Sequence, residues 1–512
     1  MLPTNRGLSP KRVRLGQKWR MAALLTCMLA SQSAALAAAE VPLMPKISVV
    51  PPSGKEPLSS ANRPGTEYAD LAKAGYVEEE YYLYGEAPAI TASGETLLQA
   101  PYITRILVRK PKDPARFNGT VVIAPFTWIG ERGADWILTS KYLMRKGYAW
   151  VGYTLNINKP DRDPKTTTDP EWNPDPEPQN LNFDFMRRFD YARYAPLGTY
   201  YDPKRFLRGG LPDAFVPQSQ GIGAQLALLL KSNRSDGPLP GLKVERVYVN
   251  SWAVTAQVWF DYVDQGRHAQ WRMPDGRPLV DAYMTGKMNW GGVGGEVIRR
   301  PRRISDDVLF VTIYSQSETS FDAKRGIAPP EDSDRPRLRF YELLGVPHIR
   351  TADLGTDNVE DFAADVGKQD DPKCIHLYDE PSQVLASALL DNMDRWVRDG
   401  KAMARAPIVR RQGTQLYRNP KSGNWEGGVR PPWISVPAAS YMVEDETKCG
   451  LVYDTKIPFD AQRLRTMYGT YANYLRKFEA AKKASVAEGY LLAEDADSVK
   501  PVAKPADFEV KK

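Results

Sequence analysis

Between residues 119 and 153 the chain reads strand, helix, strand, and that order constrains the fold more than anything else in it. Gly119-Thr-Val-Val-Ile-Ala124 is a short continuous apolar run of the kind a central strand shows when both faces of a sheet are covered. Asp135 to Arg145 carries apolar residues at helical spacing, Gly147 stops it, and Tyr148 to Tyr153 is strand-like again. Two strands joined by one helix are parallel neighbours with a right-handed crossover, so the sequence predicts an α/β protein with a mostly parallel sheet.

The rest of the chain extends this pattern. Thr104 to Arg109, Leu242 to Val249, Val308 to Tyr314 and Arg337 to Leu343 read as strands, and Tyr76 to Tyr84 as an edge strand. Ala224 to Leu230, Ala253 to Asp264 and Pro381 to Arg398 read as helices. Residues 40–75 form a leader that wraps the domain, and 76–400 form the core. Residues from about 157 to 210 are dense in Pro, Asp and Asn where the core strands are interrupted, and read as a lid-like insertion. Residues 401–483 are a C-terminal extension packed on the core, and 484–512 a polar tail.

The first 39 residues are of another kind. A basic stretch (Lys11, Arg12, Arg14, Lys18, Arg20) precedes a small-residue apolar run that ends in Ala35-Leu-Ala and Ala37-Ala-Ala, the pattern of a cleaved secretory signal. The expectation is a periplasmic or secreted protein without stable membrane insertion. The formal charge of +7 rests on 69 basic and 62 acidic residues. Arg6 and the five basic residues above leave with the signal, so the remaining chain carries 63 against 62 and sits near neutrality. That removes the electrostatic case for nucleic acid or an anionic membrane as partner. Cys27 leaves too; Cys374 and Cys449 remain, and an oxidising compartment favours a single disulfide between them. With three histidines in the chain and no useful ligand spacing, no metal cofactor is expected. Gly291-Gly-Val-Gly-Gly295 follows no strand of a βαβ unit, so no nucleotide cofactor is expected either.

In a doubly wound sheet reactive groups sit where strands end. Three strand ends carry candidates in the order serine, acid, histidine. After the strand at 242–249 the chain reads Val247-Tyr-Val-Asn-Ser-Trp-Ala-Val-Thr-Ala256. A nucleophile elbow is a sharp strand-to-helix turn that needs small residues two before and two after the nucleophile. Two registers fit. Ser251 has Ala253 after it but the bulky Val249 before it. Position 253 has Ser251 and Thr255 as flanks, but it is an alanine, without a nucleophilic atom. The second strand end holds Glu318, with Asp322 nearby, as the acid that orients a histidine; the third, Glu342-Leu-Leu-Gly-Val-Pro-His348, holds the base.

These motifs resemble the exported bacterial α/β-hydrolase domain proteins, over about Tyr76 to Gly489. Tyr102 to Arg109 is similar to the family's first core strand, Tyr341 to His348 to its histidine motif, and Gly427-Gly-Val-Arg-Pro431 to its C-terminal signature. The resemblance implies the α/β-hydrolase fold, a Ser-His-acid mechanism and a carboxylic ester as substrate class. The family carries G-x-S-Q-[ST] at the elbow; counted back from Tyr262, Ser251 falls on the glycine and Ala253 on the serine. The acid motif Glu-Thr-Asp becomes Glu318-Thr319-Ser320, and Glu-Trp-x-Asn becomes Ala124-Pro-Phe-Thr127. Three readings follow. In one, Ser251, His348 and Glu318 form a shifted triad of an ester hydrolase. In the second, Ala253 makes the protein a degenerate hydrolase that binds a small-molecule ligand or a partner. In the third, His348 alone is the acid–base of a lyase or isomerase without a covalent step.

Overall fold

The computed structural model describes residues 39–62, 70–91, 93–126, 133–156, 183–202, 216–287, 301–348, 378, 380–443 and 455–509. The signal segment, most of the expected lid-like insertion, Gly291 to Gly295, Cys374 and Cys449 lie outside these residues. Residues 40–512 form one compact unit.

Among the described residues ten strands form a single sheet. In chain order they are β1 Lys46–Val49, β2 Tyr76–Ile90, β3 Thr96–Pro111, β4 Thr120–Pro125, β5 Ala149–Tyr153, β6 Arg246–Trp252, β7 Ala282–Gly286, β8 Leu309–Tyr314, β9 Ser333–Asp334 and β10 Arg337–Glu342. Their order across the sheet is β1-β2-β3-β5-β4-β6-β7-β8-β10-β9. From β5 to β10 every neighbouring pair is parallel. The β1, β2, β3 end and the short β9 are antiparallel additions.

The parallel strands are apolar throughout because both faces are covered. In β4, Val122 and Ala124 face one core while Val121 and Ile123 face the other. The first core is closed by helix α1 (Ala134–Arg145), by helix α5 (Gln383–Asp399) and by the C-terminal extension. The second is closed by α2 (Ser219–Lys231) and α3 (Ala256–Asp264). Helix α4 (Gln316–Lys324) joins β8 to β9. Alternation of period two sends neighbouring side chains of one strand into separate cores.

Three local expectations change. β2 is not an edge strand: β1, drawn from the leader, pairs along its outer side from Lys46 opposite Tyr84 to Val49 opposite Tyr81. β7 had no counterpart in the sequence reading, because Ala282-Tyr-Met-Thr-Gly286 lacks the β-branched run that marked its neighbours. The residues after 484 are not a free polar tail: a helix runs to Ala487, and Leu491, Val499 and Phe508 are buried against the first core.

The leader is held by buried cations. Arg105 donates to the Leu58 carbonyl (2.8 Å), Arg109 to that of Ser59 (2.7 Å) and Arg193 to that of Lys55 (2.6 Å). Glu80 pairs with both Arg105 and Arg193, and Glu78 with Arg109. A buried charge is tolerated when it is paired and its remaining donors are used, and here the leader's carbonyls use them.

Candidate active site

The parallel strands point their carboxyl ends toward one edge of the sheet, and the candidate residues lie there on adjacent strands. β6 ends in extended backbone at Trp252, and the chain then turns sharply. Ala253 carries the turn, with φ of +55°. One 3-10 turn, Ala253–Thr255, leads into α3. An L-residue in this left-handed region is strained by roughly 1–2 kcal/mol. Strain of this kind is characteristic of functional turns, and a strand-to-helix turn at this strand is the elbow position. The tip of the elbow is therefore residue 253, and its side chain is a methyl group.

Ser251 lies two residues earlier, within β6 and opposite Thr285. It is 1% exposed. Its hydroxyl donates to Thr255 Oγ1 at 3.3 Å, and Thr255 donates on to the Trp252 carbonyl at 2.8 Å. No hydrogen bond joins Ser251 to His348. The structure thus brings Glu318 and His348 together, while the Ser251 hydroxyl bonds to Thr255. The physical reason is the pleat: a residue inside the strand points its side chain into the sheet's own packing, while the strained turn alone presents one at its end.

The acid and the histidine meet closely. Glu318 sits in the first turn of α4 and is fully buried. One carboxylate oxygen accepts the Ser315 backbone N–H at 2.8 Å; the other is 2.5 Å from His348 Nδ1. Burial opposes the charge on Glu318. The imidazole, the Ser315 N–H and the nearby Lys287 ammonium outweigh it and hold the carboxyl below the ordinary glutamate range. A charge-assisted bond to Nδ1 fixes the ring's orientation. It leaves Nε2, which has no hydrogen-bond partner among the described residues, as the nitrogen available for a proton. His348 itself is only partly buried, its side chain 11% exposed.

Lys287 is the site residue that the sequence reading missed. It follows β7, also at positive φ (+53°). Its ammonium donates to the His348 carbonyl at 2.5 Å and lies 6.0 Å from the centre of the Trp252 ring. It therefore connects the elbow strand to the histidine loop. Trp252 closes over the end of β7: a Cβ added at Gly286 would meet its ring at 2.2 Å. The only signal for Lys287 was its place after a strand, and that strand was the one not recognised. Asp322, the substitute acid, is buried further along α4, and a second of the three histidines, His268, is bonded to the Tyr283 hydroxyl (2.8 Å). Among the described residues no group of three or more His, Cys, Asp or Glu side chains offers a metal site.

A sheet of this strand order, with an elbow after β6, an acid after β8 and a histidine after β10, defines an α/β-hydrolase. A family model described as "Alpha/beta hydrolase domain" matches residues 49–501, and the chain belongs to that family. No curated protein matches the sequence. Among solved structures, the chain is similar to the Paenibacillus sp. R4 acetyl xylan esterase at 10% identity and a TM-score of 0.27, covering 59% of this chain and 82% of that one. An esterase from Pyrobaculum calidifontis is also 10% identical, with a TM-score of 0.25 and coverage of 53% and 79%. Esterase Est22 is 10% identical, with a TM-score of 0.26 and coverage of 48% and 66%, so the chain spans just under two thirds of it.

Proposed function

We propose that this is an exported α/β-hydrolase-fold protein that keeps the acid–base half of an ester hydrolase and lacks its covalent half. It takes a small-molecule ligand of the carboxylic-ester class at the carboxyl end of the sheet and forms no acyl-enzyme there. The observation that carries this reading is Ala253 at the strained tip of the elbow. The basic, small-residue N-terminal segment supports export.

A shifted triad built on Ser251 is less well supported. Two residues along a strand displace a hydroxyl by roughly 6–7 Å, and the Ser251 hydroxyl is occupied by Thr255. A second reading has support in the 2.5 Å contact of Glu318 with His348 Nδ1. In it His348 Nε2 takes a proton from water, the water oxygen bonds to the acyl carbon, the ester C–O bond breaks, and the same proton passes to the leaving alkoxide. That reaction needs no side chain at 253.

Labelling with a fluorophosphonate probe tests the proposal. The natural protein and Ser251→Ala are expected not to label. Ala253→Ser is expected to label, and Ala253→Ser with His348→Asn to lose that labelling. Labelling of the natural protein that disappears in Ser251→Ala would overturn the proposal in favour of the shifted triad. Turnover of esters by the unlabelled natural protein, lost in His348→Asn, would establish the water route.

A further inference from the structure

We infer that the C-terminal extension is a working part of this site, and that Trp433 within it is a positioning residue for His348. The inference deepens the reading above and rests on His348 being the site's base.

The chain leaves the sheet after β10 and reaches His348 in six residues. Backbone polar groups buried along such a path must all find partners. Two come from the core: Leu343 N–H donates to Tyr314 (2.8 Å) and the Gln316 N–H to the Val346 carbonyl (2.9 Å). Further partners come from the extension. Val429 N–H donates to the Glu342 carbonyl at 2.7 Å and receives the Leu344 N–H at 3.0 Å, a short parallel bridge between loop and extension. Below that bridge the Glu342 carboxylate is anchored by the Val409 N–H at 2.6 Å and by Arg411.

Gly345 is the pivot. Its φ is +63°, and an added Cβ would lie 2.7 Å from Trp433 Nε1 and 2.8 Å from Ile434 Cδ1. The indole is packed directly on the turn. The two polar groups of Gly345 are held from two sides, one by the extension and one by α4. Its carbonyl accepts the Trp433 indole N–H at 3.0 Å. Its N–H donates at 2.9 Å to Gln316 Oε1, while the Gln316 amide donates at 2.9 Å to the Tyr441 carbonyl. The backbone at 345 is therefore fixed directly by Trp433 of the extension and by Gln316 of α4, which the extension in turn holds through Tyr441, and Val346 and Pro347 carry that orientation on to His348. Pro347 contributes a locked φ. Lys287, at the far side, holds the His348 carbonyl.

Such a role has a signature that mere packing lacks. Trp433→Phe keeps an aromatic side chain but removes the indole N–H together with part of the ring system, so Gln316→Met, which leaves the tryptophan in place, separates the hydrogen-bonded path from lost packing. The direct readout is the low-field proton resonance of the His348 imidazole bound to Glu318, assigned by its absence in His348→Asn and followed in the full natural chain. Trp433→Phe is expected to shift or broaden it, and Gln316→Met to do the same if the tryptophan variant folds poorly. Tyr468→Phe, which removes a 2.6 Å bond to the Pro437 carbonyl elsewhere in the extension, is expected to leave it in place. In an Ala253→Ser background, Trp433→Phe is expected to slow fluorophosphonate labelling between about tenfold and a hundredfold, the scale of a 1 Å misplacement. A folded Trp433→Phe or Gln316→Met protein with an unmoved resonance would overturn the inference, as would an equal shift in Tyr468→Phe. If Ala253→Ser fails to label while the resonance moves as expected, the proposed function falls and the positioning role stands.

Discussion

The two halves of the site are built differently. On the elbow side, the functional position is a single strained residue at the end of β6, and beside it Ser251 donates to Thr255, which donates to the Trp252 carbonyl. On the acid–base side, Glu318 and His348 are joined to one another, to the Ser315 backbone, to Lys287 and, through the loop, to the extension. A half made of one backbone conformation can lose its chemistry by losing one atom. A half made of a network cannot lose a member without stranding the others. The contrast explains how an alanine at 253 and an intact Glu318–His348 pair occur in one molecule.

The contrast predicts unequal costs of substitution. The largest is Gly345→Val, which puts a branched side chain at a positive φ and into Trp433; about 2–5 kcal/mol of stability is expected to go, read as a urea midpoint. Next, Glu318→Gln is expected to cost about 1–3 kcal/mol at neutral pH, because a buried charge-assisted bond is lost. The folded-state carboxyl titrates below its ordinary value of 4.5. Its stabilisation is therefore present above that value and is lost as pH falls through the lower, folded-state one. The gap between Glu318→Gln and the natural protein should thus narrow as pH falls below 4.5. On the elbow side, Ala253→Gly is expected to raise stability by about 0.5–1 kcal/mol, since glycine adopts this φ without strain. Ser251→Ala is expected to change stability by about 0.5 kcal/mol or less, because Thr255 keeps its bond to Trp252. A Ser251→Ala cost matching that of Glu318→Gln would break the comparison and show the elbow to be a network as well.

Much of the fold was legible in advance because burial on both faces leaves continuous apolar runs, as at Val121 to Ala124. Glu318 and His348 were legible because each follows such a run. The choice between Ser251 and position 253 was not. It depends on which residue takes the positive φ, and alanine is not a residue that announces one. Lys287 escaped because β7 is short and carries Thr285 and Gly286 in place of branched apolar residues. The role of the extension escaped because its contacts join residues some ninety positions apart, such as Gly345 and Trp433, with no periodicity to reveal them.

The buried arginines beneath the leader have a consequence for proteolysis. A nick between Lys55 and Ser59 would release the carbonyls that receive three guanidinium groups, those of Arg105 and Arg109 in β3 and that of Arg193 in a short helix. Loss of a surface strap ordinarily frays an edge, whereas here it would leave Arg105 and Arg109, both almost wholly enclosed, short of acceptors. Cleavage in this segment should therefore behave as a trigger for cooperative unfolding, with amide exchange rising in β2 and β3 together and not at the leader alone.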